Sequence, residues 1–279
     1  MDARVIALVT NIPGPLAASR LAAMGAHVVK VEPERGDPLA AAALGWYTEL
    51  TKNLRVVRAD LKGDGGRVQL GQFLASADLL LTAMRASSLE RLGLGWAELH
   101  RRFPDLCHIA ILGEAYPNDD RAGHDLTYQA RAALLTPPSM PKTLFADLFA
   151  AERAVSAALR ALYERDRSGI ASRCDVSIAE GAAMLLEPAR YGLTGAGEPL
   201  SGARPNYRLY RASDGWIALA ALETHFLARI TQALELQSFD AAVLEARFAE
   251  HSCAHWERIA AEHDLPLATV ATIAAPTGR

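Results

Sequence analysis

The stretch RVIALVTNIPGPLAASRLAAMGAHVVKVE, residues 4–32, decides the fold. Residues 4–10 are almost wholly apolar, as in a strand covered on both faces. Asn11-Ile12-Pro13-Gly14-Pro15 breaks the run, and Pro15 suits a first helical turn, where its missing N–H costs nothing. Residues 16–24 are rich in Ala and Leu, and Gly25 stands where a helix C-terminus takes a positive φ. HVVKVE, 27–32, is strand-like again. Strand, helix, strand in about thirty residues is the signature of a parallel sheet with helices packed on it.

The pattern continues outward. Residues 55–61, 77–83 and 106–112 read as further strands, the last two as largely apolar runs. Ser87-Ser88-Leu89-Glu90 has the form of a capping box opening a helix to Arg102. Residues 114–141 are loop-rich, with Pro117, Pro137, Pro138 and Pro141. A long amphipathic helix is expected over 147–167, a short strand over 174–178 and a helix near 180–187. Residues 192–204 hold four glycines and Pro199, with Pro205 just beyond, and read as a link. A second unit opens with a hairpin, 207–212 and 216–222 around Ser213-Asp214-Gly215, followed by helices over 223–236, 241–250 and 254–262. The expectation is an α/β domain over 1–191 and a smaller α+β domain over 205–279.

Bulk properties exclude several classes. Of 279 residues, 51% are apolar, too many for a disordered chain. A net charge of −3 leaves no basic excess for a phosphate backbone, so no nucleic-acid partner is expected. Cys107, Cys174 and Cys253 are scattered and odd in number, which fits a reducing compartment better than a disulfide framework. The N-terminal apolar run has no cationic leader, and no apolar stretch approaches the ~20 residues of a membrane span. A cytoplasmic enzyme without a membrane partner is the expectation.

Each candidate for chemistry has a plain alternative. Asp147 precedes the long helix and reads as its N-cap, but a carboxylate at a helix N-terminus also serves as a nucleophile or base. His124-Asp125 reads as a solvated loop pair or as a general base with its neighbour. Glu223 follows a strand and reads as a first-turn carboxylate. Gly63-Asp64-Gly65-Gly66 lacks the phosphate-loop lysine pattern and reads as a turn into a helix at Arg67. His251 and His255 are spaced for a shared helix face, yet no third metal ligand follows at a characteristic spacing. No metal is expected, and no Gly-x-Ser-x-Gly elbow is present.

The order of the motifs carries more than any one of them. Pro13-Gly14-Pro15-Leu16-Ala17-Ala18, then the run from Leu21 through His27-Val28-Val29-Lys30-Val31-Glu32-Pro33, then Gly36-Asp37-Pro38, resembles the N-terminal signature of class III CoA-transferases of the CaiB/BaiF type. Ala59-Asp60-Leu61-Lys62, Arg85 with Leu89-Glu90-Arg91-Leu92-Gly93-Leu94, Gly123-His124-Asp125-Leu126, Ala146-Asp147 and Tyr210-Arg211-Ala212-Ser213-Asp214-Gly215-Trp216 follow in the family's order.

The resemblance implies a Rossmann-like CoA-binding and catalytic domain, a smaller second domain and an interlocked homodimer. It implies acyl-CoA and a small carboxylic acid as partners, with coenzyme A as a substrate moiety and no separate cofactor. The aspartate matching Asp147 is the transferases' nucleophile, which passes CoA through an aspartyl thioester. The α-methylacyl-CoA racemases form a second branch, in which residues matching His124 and Asp147 are two bases on opposite faces, with the histidine oriented by Asp125 or Glu223. Lys62, Arg85 and Arg91 match positions lining the CoA site. Members of the family continue past the position of Arg279, which motivates a third reading as a CoA-binding, non-catalytic subunit.

Overall fold

In the computed structural model the structure describes residues 2–272. The chain divides into two compact units, Met1–Leu186 and Glu187–Arg279. The first unit runs β1 (Arg4–Leu8), α1 (Pro13–Ala23), β2 (His27–Glu32), α2 (Pro38–Ala42), α3 (Leu44–Thr51), β3 (Arg55–Arg58), α4 (Asp64–Leu74) and β4 (Leu79–Thr82). It continues with α5 (Ala86–Arg91), α6 (Trp96–Arg102), β5 (Cys107–Leu112), α7 (Asp125–Arg131), α8 (Phe145–Ser168), β6 (Arg173–Ser177) and α9 (Ile178–Met184).

Six strands form one sheet in the order β3-β2-β1-β4-β5-β6, parallel throughout. The apolar runs are explained by two cores, one on each face. Val5, Ala7, Leu79, Leu81 and Ile109 point to a core shared with α1 and α8. Ile6, Leu8 and Leu80 alternate with them and point to a core shared with α4, α5 and α6. The strand order reverses between β1 and β4, and in such sheets the crevice beyond the carboxyl ends of these strands is where ligands bind.

Three local expectations change. The single helix over 87–102 is two, because Gly93 at φ 70° ends α5 and α6 begins again after Gly95. No capping box forms there: Arg85 is the N-cap, and the Ser87 N–H goes to Asp120 Oδ1 at 3.0 Å. α4 starts at Asp64 rather than Arg67, and Gly66 is needed there, because a β-carbon would lie 2.1 Å from the carbonyl oxygen of Asp60.

The second unit contains α10 (Glu187–Arg190), β7 (Tyr207–Arg211), β8 (Trp216–Ala220), α11 (Thr224–Ala233), α12 (Ala241–Ala249), α13 (Cys253–His263) and β9 (Leu267–Thr269). Residues 192–204 belong to this unit. The hairpin forms as read, with Tyr207 opposite Ala220 and Arg211 opposite Trp216. The three-residue β9, next to Pro266, gave no strand signal and pairs antiparallel with β8. Tyr210, Ile217, Leu219, Phe248 and Trp256 fill the unit's own core. His251 and His255 stack with ring centroids 4.1 Å apart, and the Ser252 side chain between them caps α13.

Candidate active site

The sheet's carboxyl edge opens onto two adjoining cavities. The larger, about 530 Å³, lies over β1 and β2 and is lined by Arg35, Asp60 and Lys62 among others. The smaller, about 300 Å³, is lined by Arg85, His124, Tyr128 and Asp147 with Ile111 and Ile178. Thr10 and Met84, just past β1 and β4, line both.

Asp147 is not the N-cap of α8. Leu144 holds that place, and Asp147 sits in the first turn. Its backbone N–H, one of the helix's free donors, is taken by Asp125 Oδ1 at 3.0 Å. Gln129, one turn along α7, donates through Nε2 to the other Asp125 oxygen. Asp125 is thus the buried tie between α7 and α8, and its carboxylate goes to these partners rather than to the His124 ring. Asp147 lines the smaller cavity. Burial, and secondarily the charge of Asp125, push its pKa up to about 7.

His124 is the N-cap of α7 and exposed. The Thr127 hydroxyl accepts from the His124 N–H at 3.1 Å and donates to its carbonyl at 2.8 Å, which pins the backbone and leaves the ring at the cavity wall. His124 and Asp147 therefore share one chamber. Lys62 lines the larger cavity and Arg85 the smaller. Arg91 lines neither and donates to the hydroxyls of Ser87 and Ser88 at 3.4 and 2.9 Å. Glu223 is the N-cap of α11, in the second unit, with no side-chain cap bond.

A buried ionic cluster of Lys30, Glu32, Asp37 and Tyr47 was not legible in the sequence motifs. Lys30, fully buried within β2, contacts Glu32 Oε1 at 2.7 Å and Asp37 Oδ2 at 2.5 Å. Tyr47 donates to the same Glu32 oxygen at 2.9 Å, and burial with that bond pushes its pKa up to about 12. The other Asp37 oxygen accepts from the N–H groups of Asn11 and Leu39, each at 2.9 Å. Asn11, at φ 66°, lines the smaller cavity. The cluster therefore holds the β1–α1 turn against the site. The signal was a lysine set between Val29 and Val31 in a strand read as buried.

The family model of CoA-transferase family III matches residues 1–276. The chain belongs to CoA-transferase family III. The succinyl-CoA–D-citramalate CoA-transferase of Chloroflexus aurantiacus is 31% identical over 275 residues, covering 90% of this chain and 67% of that protein. The α-methylacyl-CoA racemase of Mus musculus is also 31% identical, over 255 residues, covering 84% of this chain and 64% of that protein. A crystal structure of Rv3272 from M. tuberculosis superposes with a TM-score of 0.83 at 25% identity, covering 98% of this chain and 84% of that one. This family III chain spans about two thirds of the length of the curated relatives it matches. Among its described residues, no helix is long and apolar enough to cross a membrane.

Proposed function

We propose that this protein transfers CoA between an acyl-CoA thioester and a small carboxylic acid, with Asp147 as the covalent centre. The observation that carries the reading is Asp147, lining a chamber at the switch point of the sheet with its own backbone N–H already taken by Asp125. The carboxylate attacks the thioester carbonyl and expels CoA thiolate, leaving an acyl-aspartyl anhydride. The thiolate attacks the aspartyl carbonyl and releases the donor acid, leaving aspartyl-CoA. The acceptor carboxylate attacks that thioester in turn, and the returning thiolate attacks the acceptor carbonyl, freeing acceptor acyl-CoA and Asp147. Each step exchanges one acyl bond for another, so no redox partner is required. The phosphates of CoA are assigned to the side of the larger cavity, where Lys62 supplies positive charge. A homodimer in a reducing cytoplasm is part of the proposal, in keeping with three cysteines that are free.

A second reading rests on a separate observation, that His124 lines the same chamber as Asp147. One would remove the proton next to the thioester while the other returns it on the opposite face. An aspartate poised near neutrality suits that task.

One experiment separates the two. The protein is incubated in deuterated water with a 2-methylacyl-CoA and a different free acid, and CoA species are followed by mass spectrometry. A new acyl-CoA built from the added acid, absent with Asp147→Asn, is the expected result. A one-unit mass gain on the original thioester without a new species would favour the two-base reading. Neither product, with CoA still bound, would favour a non-catalytic subunit.

A further inference from the structure

Tyr128 was not among the residues singled out in the sequence. It stands on α7, three residues after Asp125, and is 3% exposed. Its ring packs in the main core with Ala132 and Ala146. Its hydroxyl does not share that environment. A β-carbon at Gly113 would lie 2.2 Å from the hydroxyl oxygen, and one at Gly123 would lie 2.5 Å from it. Both glycines line the smaller cavity, so the hydroxyl occupies a slot that only glycine leaves open. It makes no hydrogen bond to any described residue, yet it is absent from the fully enclosed polar atoms that lack a partner. The oxygen therefore meets the cavity and not the core.

A buried tyrosine ordinarily gives its hydroxyl a partner. Here that partner is missing beside the one carboxyl that the proposed chemistry needs. Attack on a thioester carbonyl and removal of the neighbouring proton share one feature: in both, negative charge develops on the carbonyl oxygen. A fixed O–H donor aimed at that oxygen is worth more in the transition state than in the ground state.

We infer that the Tyr128 hydroxyl is a catalytic hydrogen-bond donor to the thioester carbonyl oxygen of the bound acyl-CoA. This rests on the acyl-CoA reading above and serves either mechanism. The ring is locked by the core, and α7 is tied to α8 through Asp125, so donor and carboxyl keep a set relation. Burial, and secondarily the charge of Asp147, raise the phenol's pKa, which keeps the donor protonated across the working range.

The test is Tyr128→Phe, which removes one oxygen and leaves the ring. Turnover is expected to fall by about 10²-fold, the usual loss for one oxyanion donor, with KM little changed and the melting temperature unaltered. Separately, the thioester C=O stretch of an acyl-CoA bound to the Asp147→Asn protein is recorded by difference infrared spectroscopy. Adding Tyr128→Phe should move that band to higher frequency. An unmoved band together with unchanged kcat, or a loss confined to KM, overturns the inference. If the wild type performs neither transfer nor exchange, the acyl-CoA reading fails by itself, and the infrared shift still decides whether Tyr128 meets the carbonyl.

Discussion

At the scale of single residues, Asp147 is the informative group. Its folded pKa of about 7 lies above that of a free carboxyl, so the folded state binds the proton more tightly than the unfolded chain does. The sign follows. Below the unfolded pKa, near pH 4, the residue costs nothing; between about pH 4 and 7 the unfolded chain ionises while the folded carboxyl keeps its proton, so stability is withdrawn across that window and the loss is complete above it. Asp147→Asn is expected to raise stability at pH 8 by at most about 4 kcal/mol and to have no effect below about pH 4, as read by urea denaturation at both values. Asp125→Asn keeps an oxygen for the Asp147 N–H and removes a charge. The Asp147 pKa should fall but stay above the ordinary range, since burial is the larger cause. The acid limb of the kcat/KM profile is expected to move to lower pH by less than the full shift. An unmoved limb would mean that Asp125 does not influence the titrating group.

At the scale of elements, the turn between β1 and α1 depends on a charge cluster that no single strand or helix contains. Lys30 in β2 meets Glu32 at the end of the same strand and Asp37 at the cap of α2, and Asp37 reaches back to Asn11. Lys30→Met would leave two buried carboxylates without their cation. The expected cost is about 3–5 kcal/mol. Denaturant midpoints of the wild type and the variant would check it, and an unchanged midpoint would show that the charge of Lys30 is not what matters. The element scale also explains the divided helix at 86–102. Apolar spacing continued through Gly93, but a left-handed residue turns the chain regardless of what its neighbours would bury.

At the scale of the molecule, the two units have separate cores. Phe248 packs edge-on against Trp256 at 5.2 Å and tilted against Tyr210 at 5.1 Å. Phe248→Ala is expected to cost about 3–5 kcal/mol in the second unit. Hydrogen exchange should then show lost protection over 207–269 and native protection over the strands of the first unit. Uniform loss across the chain would mean that the units unfold as one body.

The parallel sheet and its helices were legible in the sequence by itself, because a strand buried on both faces must be continuously apolar and the turns between must carry Gly and Pro. The hairpin of the second unit was legible for a similar local reason. The order of the motifs also marked Asp147 and His124. Tertiary structure alone decided what surrounds them. That Asp125 serves Asp147 rather than His124, that Lys30 neutralises carboxylates brought from two elements, and that the Tyr128 hydroxyl meets Gly113 across 15 positions of chain are facts of long-range packing. Local spacing records which side chains share a strand or a helix turn; it carries no record of which loops the sheet brings to its carboxyl edge, and that edge is where the site is built.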